Sequence, residues 1–150
     1  MEFRKARAAD LGSLVALLAD DKLGALREDP SLPLSQAYLS AFAAIDSDPN
    51  NELVVVEDGG RLLGMMQLTF IPYLTHQGSW RCLIEGVRIH GSYRGQGLGR
   101  QFFEWAIQRA RDRKCRLLQL TSDKQRPDAL RFYESLGFQA THEGFKLPLV

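Results

Sequence analysis

At 150 residues, 45% hydrophobic and 25% charged, the chain has the make-up of one soluble globular domain with an ordinary core, which excludes a disordered protein. A formal net charge of +1 gives no electrostatic reason to expect nucleic acid or a membrane as partner. Two cysteines and three histidines, none at ligand spacing, exclude a disulfide framework and speak against a metal site.

Residues 2–6 read as a short opening strand. Residues 9–19 carry Leu11, Leu14, Val15, Leu17 and Leu18, a helical stripe. The run EDPSLP breaks the chain, and residues 34–45 then offer a second helix with Tyr38, Leu39, Phe42 and Ile45 on one side. DSDPNN is a loop. Residues 52–57 and 61–70 are hairpin strands around a tight turn at Asp58, Gly59 and Gly60. A loop through 72–79 leads to a strand at about 81–90. Next comes a glycine-rich loop, then a helix over 98–113 with Phe102, Phe103, Ala106, Ile107 and Ala110 at helical period. Residues 116–121 read as a strand. Pro127 suits a first helical position, and that helix runs to Leu136 and stops at Gly137, a left-handed cap. Two short strands, at 138–141 and 145–149, finish the chain. This order implies an α/β domain with a mixed sheet. Without an internal linker, 1–150 is expected to be a single domain.

The charge is unevenly placed. Residues 20–52 hold seven acidic and two basic side chains, whereas 88–116 hold eight basic and two acidic. Two solvated helical faces would explain the split; so would a basic half that holds a polyanion and an acidic half that holds an amine. The start, MEFRKARAAD, lacks a signal-peptide core, and no apolar run approaches the ~18 residues that span a bilayer. The expected address is cytoplasmic.

The stretch IHGSYRGQGLGRQFF, residues 89–103, places four glycines and two arginines between a strand and a helix. Such a junction aims unpaired backbone N–H groups and the positive helix end at one point, which attracts phosphate. Arg94 and Arg100 can add charge-assisted contacts. A P-loop is excluded because Gly99 is followed by Arg100 and Gln101, and a dinucleotide fingerprint because its third glycine would fall on Arg100 or Phe102. The alternative is a glycine-rich turn that does no more than start a helix.

The surviving pattern, Arg94-x-x-Gly97-x-Gly99, resembles the acyl-CoA-binding signature of the GNAT superfamily of N-acetyltransferases. A second segment, ALRFYESLGF at 129–138, is similar to the superfamily's alanine–aromatic–tyrosine–glycine–phenylalanine segment. The opening FRKARAADLGSLVALL is similar to its first strand and helix. The resemblance covers nearly the whole chain and is strongest over 83–138. It implies the GNAT fold, a single curved mixed sheet whose two central parallel strands, here 81–90 and 116–121, splay apart, flanked by about four helices. It implies acetyl-CoA as cosubstrate and no metal. Backbone groups of Val87, Arg88 and Ile89 would pair with the pantetheine arm, and the amides of Gly95, Gln96, Gly97, Leu98, Gly99 and Arg100, beside Arg94, would hold the pyrophosphate. Homodimers are frequent among relatives.

Moving an acetyl group from a thioester to an amine requires an amine without its extra proton, donors for a tetrahedral oxyanion, and a proton for the departing thiolate. In CLIEGVRI, alternation puts Leu83, Glu85, Val87 and Ile89 on one strand face, so that Glu85 would be partly desolvated and suited to act as base, directly or through a water. Several relatives carry a glutamate here. Gly86 hints at a bulge, which could instead turn Glu85 to solvent or into an arginine salt bridge. Tyr133 matches the family's tyrosine near the CoA sulfur and would be the acid; a plain core tyrosine is the alternative. Phe132 and Phe138 read as core. The oxyanion donor is expected from the backbone near Val87. Where many relatives have an asparagine seven residues before the tyrosine, this chain has Arg126, which puts that pantetheine contact in doubt.

The expected activity is direct transfer, in a ternary complex and through a tetrahedral intermediate, to a primary amine of a small molecule. The acidic first third leans toward a cationic acceptor. A protein lysine or N-terminal amine is the alternative acceptor, and a non-catalytic acyl-CoA sensor the alternative of another class.

Overall fold

Five strands form one mixed sheet in the order β1 (Glu2–Lys5), β2 (Asn51–Asp58), β3 (Arg61–Pro72), β4 (Trp80–Ile89) and β5 (Leu117–Gln119). The structure is a computed structural model that describes residues 1–150, the side chain of Pro127 excepted. The chain comprises two units, Met1–Gln119 and Leu120–Val150. Strands β1 to β4 pair antiparallel and β5 joins β4 in parallel. The six helices among the described residues are α1 (Leu11–Ala19), α2 (Lys22–Arg27), α3 (Gln36–Ser47), the single turn α4 (Thr75–Gly78), α5 (Leu98–Asp112) and α6 (Pro127–Ser135). None is long and apolar enough to cross a membrane.

Helix α1 buries the stripe expected of it: Leu11, Leu14 and Leu17 cluster with Ala6, Val55 and Met65, and Leu34 and Phe42 pack on the cluster's rim. The opposite sheet face belongs to α5, whose Phe102 and Phe103 are fully buried, each worth about 1.5–3 kcal/mol of burial. Phe3 of β1 stacks on Phe102 and on Trp105, both at 5.6 Å between centroids. Covered on both faces, the run Val54, Val55 and Val56 is wholly buried.

Helix α5 is also tied down by charge. Glu52 of β2 is only 5% exposed. It accepts from Arg109 Nε at 3.0 Å and from Arg109 NH2, while Arg113 NH1 stands 3.8 Å away. The Arg113 guanidinium lies over the Phe70 ring at 4.1 Å. Part of the sequence's acid–base asymmetry is therefore internal pairing between the two halves.

Helix α2 was not expected from the sequence. Asp21 caps it by accepting from Gly24 N at 2.6 Å, and Gly24 is required because a Cβ there would lie 1.8 Å from Leu18 O. The two closing strands expected at 138–141 and 145–149 do not form: residues 138–150 carry no ladder, and Phe145, Leu147 and Leu149 are exposed. Strands this short hold only against a neighbouring strand and a covered face, and Pro148 has no N–H to offer a ladder. The parallel pair thus closes the sheet at its edge instead of lying at its centre.

Candidate functional site

The site is built around an irregularity in β4. Gln67 pairs with Glu85 and Met65 with Arg88, so Gly86 and Val87 both stand opposite Met66. This is a β-bulge, and Gly86 adopts φ +63°, a left-handed conformation that side chains resist. The extra residue changes the facing. Leu83, Glu85 and Arg88 look toward the α1 side, in line with Thr69, Gln67 and Met65, while Ile89 pairs with Gly64 and looks toward α5. The expectation that Leu83, Glu85, Val87 and Ile89 share one face fails at the bulge, because strict alternation was counted through it.

Glu85 is exposed, not shielded among aliphatics as the sequence suggested. Among the described residues no arginine forms an ion pair with it; Arg88, on the same face, turns to Val87 O at 2.8 Å and toward Asp21 at 4.0 Å. Beside Glu85 lies a polar floor that sequence reasoning missed. Asn51 Oδ1 accepts from Thr69 Oγ1 at 2.8 Å and from Gln67 Nε2 at 3.2 Å, and Asn51 Nδ2 donates to Asp48 at 2.7 Å. Its signal was present: Gln67 and Thr69 alternate with apolar residues in MMQLTF.

Past Leu83, β4 has no β5 partner. Pairing of β5 stops at Gln119, opposite Leu83, and β4 continues to Ile89 with its far edge unmatched by β5. Val87, Arg88 and Ile89 lie on this stretch. There follow a short turn at Gly91–Tyr93, where His90 Nδ1 accepts from Ser92 N at 3.1 Å, and then the glycine loop. Gly95 has φ +76° and Gly97 φ +81°. Gly97 is the N-cap of α5 and brings no side chain to the first-turn amides, while buried Leu98 anchors the helix behind it. A Cβ built on either glycine meets nothing within 4 Å, so the backbone is open to approach there. An open glycine backbone at the positive end of a 15-residue helix fits a diphosphate.

The loop's side chains are held as well. Arg94 Nε donates to Ile89 O at 3.1 Å, and Arg94 NH2 reaches Asp20 O at 3.3 Å and the Asp20 carboxylate at 3.7 Å. Gln96 Nε2 donates to Ser92 O at 3.0 Å. Arg100 is exposed on the first turn of α5. Next to this corner, between the end of α1 and the start of β3, a cleft of about 620 Å³ is lined in part by Ser13, Asp20, Arg61 and His90.

In the second unit, Tyr133 sits on α6, half-buried between the rings of Phe132 at 5.6 Å and Phe138 at 6.0 Å. Pro127 opens that helix and Gly137, at φ +99°, follows its end. The first unit thus brings together Glu85, Val87, Arg88, Ile89, Arg94 and the loop 95–100; Tyr133 belongs to the other unit. Among the described residues no group of three His, Cys, Asp or Glu side chains could hold a metal ion.

The model of the acetyltransferase (GNAT) family matches residues 16–138. An aminoalkylphosphonate N-acetyltransferase of Salmonella typhimurium is 30% identical over 144 residues, 96% of this chain and 88% of that one. A glucosamine 6-phosphate N-acetyltransferase of Trypanosoma brucei brucei is 31% identical over 151 residues, 99% of this chain and 96% of its own. A crystal structure described as a transcriptional regulator from Bacillus halodurans C-125 superposes with a TM-score of 0.96 at 56% identity, covering 99% of both chains.

Proposed function

This chain belongs to the GNAT family of acetyl-CoA-dependent N-acetyltransferases, and from that premise we propose that it transfers acetyl directly to a primary amine of a small molecule. The observation that carries the reading is the juxtaposition on β4 of a strand edge beyond the end of β5, a left-handed bulge, and an exposed Glu85 directly before it, with no ion pair among the described residues. The names of the two curated relatives, both for small amines, support a small acceptor over a protein lysine or N-terminus. Those acceptors also carry a phospho group, so the acidic first third, with Asp20, Asp21 and Glu52 paired internally, no longer argues for a cationic one.

The loop amides of Gly95, Gln96, Gly97, Leu98, Gly99 and Arg100 hold the pyrophosphate, with Arg94 exchanging its Asp20 contact for phosphate oxygen. Main-chain groups of Val87, Arg88 and Ile89 align the pantetheine arm along the open edge, and the amide near Val87 donates to the oxyanion. Acetyl-CoA supplies the thioester. Glu85 accepts the proton of the incoming ammonium, through a water because the carboxylate stands in solvent, and Tyr133 delivers a proton to the departing sulfur. No covalent enzyme intermediate is needed, so transfer runs in a ternary complex. The span of the family model across both units supports reading 1–150 as one domain. A cytoplasmic address and a homodimer belong to the same proposal: Cys82 and Cys115 are free thiols, as a reducing compartment keeps them, and sedimentation of the purified protein decides the dimer.

The test is thiol release from acetyl-CoA in the presence of a panel of small amines, peptides and amine-free blanks. Release with small amines, and with no peptide to match, is the expected result. Tight cofactor binding without turnover on any amine would replace the enzyme by a sensor module.

A further inference from the structure

The face that carries Glu85 holds a second, cationic group nearer the start of β4. Pairing is unbroken from Trp80 to Glu85, so Arg81, Leu83 and Glu85 share that face, alongside Ile71, Thr69 and Gln67 of β3. The Arg81 guanidinium lies over the ring of Tyr73, 4.8 Å from its centroid. From the other side Arg116 NH2 donates to the Tyr73 hydroxyl at 3.1 Å. Among the described residues neither arginine forms an ion pair with a carboxylate, and Arg81 Nε is buried without a hydrogen-bond partner. That Arg116 hydrogen bond also holds the Tyr73 phenol below its ordinary range, as a site of positive potential would.

A stack on a phenol accounts for the position of Arg81 but leaves its Nε–H unsatisfied, and a buried donor without an acceptor is costly. Two guanidinium groups on one tyrosine, Arg81 over its ring and Arg116 at its hydroxyl, neither paired with a carboxylate among the described residues, suit a tetrahedral oxyanion, whose several oxygens can serve two forks. Four residues of strand separate the Cα atoms of Arg81 and Glu85 by about 13 Å, so the acceptor and a water at Glu85 would together span the interval between the two groups.

We propose that Arg81 and Arg116, bridged by Tyr73, bind an anionic phospho group on the acceptor, so that the substrate class is a small primary amine bearing a phosphate or phosphonate. This rests on the reading of the Glu85 face as the acceptor face.

The experiment compares matched pairs, 2-aminoethylphosphonate with ethylamine and glucosamine 6-phosphate with glucosamine, by initial rates of thiol release. Wild type, Arg81→Met, Arg116→Met and Arg81→Lys are assayed, each first checked by thermal melting. Wild type is expected to favour the phospho member of each pair by roughly tenfold or more in kcat/KM. Arg81→Met should collapse that preference through KM, and Arg81→Lys should restore part of it; which pair shows the larger preference separates phosphonate from phosphate ester. Calorimetry with methylphosphonate alone gives a readout independent of turnover, with binding expected in wild type and lost in Arg81→Met. If Arg81→Met does not fold, Arg116→Met carries both measurements. Equal losses on both members of each pair, or unchanged methylphosphonate affinity in the variants, overturn the proposal. Wild type that acetylates amines with no phospho preference overturns it while leaving N-acetyl transfer intact. Wild type that binds methylphosphonate but releases no thiol with any amine sinks the transfer and upholds the anion site.

Discussion

The first half of β4 is held between β3 and β5, and the second half by β3 alone. Where both neighbours pair, the backbone is occupied and the proposed contact is a side chain, Arg81; Glu85, on the same face, stands just past the end of β5 pairing. Beyond the end of β5, the bulge at half-buried Gly86 and the exposed glycines at 95 and 97 take left-handed backbone conformations. On the proposed reading, anions are met by different means at the two ends, by arginines at the start of β4 and by amides of the loop that follows it. Side chains confer selectivity for shape and can be exchanged singly; amides are indifferent to sequence but demand a particular backbone path. One strand can thus carry a variable acceptor end and a uniform carrier end.

The division can be broken in three places. At the boundary, Glu85→Gln should lower kcat by about 10²–10⁴-fold with acetyl-CoA affinity preserved. The rise of rate with pH that a general base imposes should disappear, and a profile identical to wild type would remove Glu85 from that role. At the carrier end, Gly97→Val should weaken acetyl-CoA by roughly a hundredfold in calorimetry. Free space beside the residue lets the variant fold, but a branched side chain at φ +81° costs about 1–2 kcal/mol and stands where the diphosphate would approach the backbone; normal affinity would contradict the loop assignment. The smallest effect is expected at the bulge. Gly86→Ala keeps ordinary contact with Leu18 at 4.0 Å but must hold φ +63°, a strain of about 1 kcal/mol. A fall in Tm of about 3 °C with a few-fold loss of kcat is anticipated, and a variant more stable than wild type would mean that the bulge relaxes freely.

Elements whose signals are local were legible in the sequence. Pro127 starts α6, and Gly137 at φ +99° follows it; the stripe of α5 buries Phe102, Phe103, Ala106 and Ala110 as its period implies. Features that depend on distant partners were not. Helix α2 is six residues long and contains a glycine that only its approach to Leu18 explains. Gly86 advertised a bulge, yet the reversal of facing beyond it follows from the register with β3, which no count along one strand supplies. The apolar alternation of Phe145, Leu147 and Leu149 promised a strand, but alternation describes a face and cannot provide the neighbour to pair with. The polar floor of Asn51, Gln67 and Thr69 needs two strands in register before it exists at all.

The buried carboxylate of Glu52 meets α5 at Arg109, eleven positions from the helix's first residue, a distance of about 16 Å along the axis from the loop proposed to hold the carrier. It nevertheless anchors the helix whose first turn is proposed to present the donors. A survey of inactivating substitutions scored only by cofactor affinity would place Glu52 among the carrier's own contacts; comparing folded fraction with affinity for each variant separates the rudder from the grip.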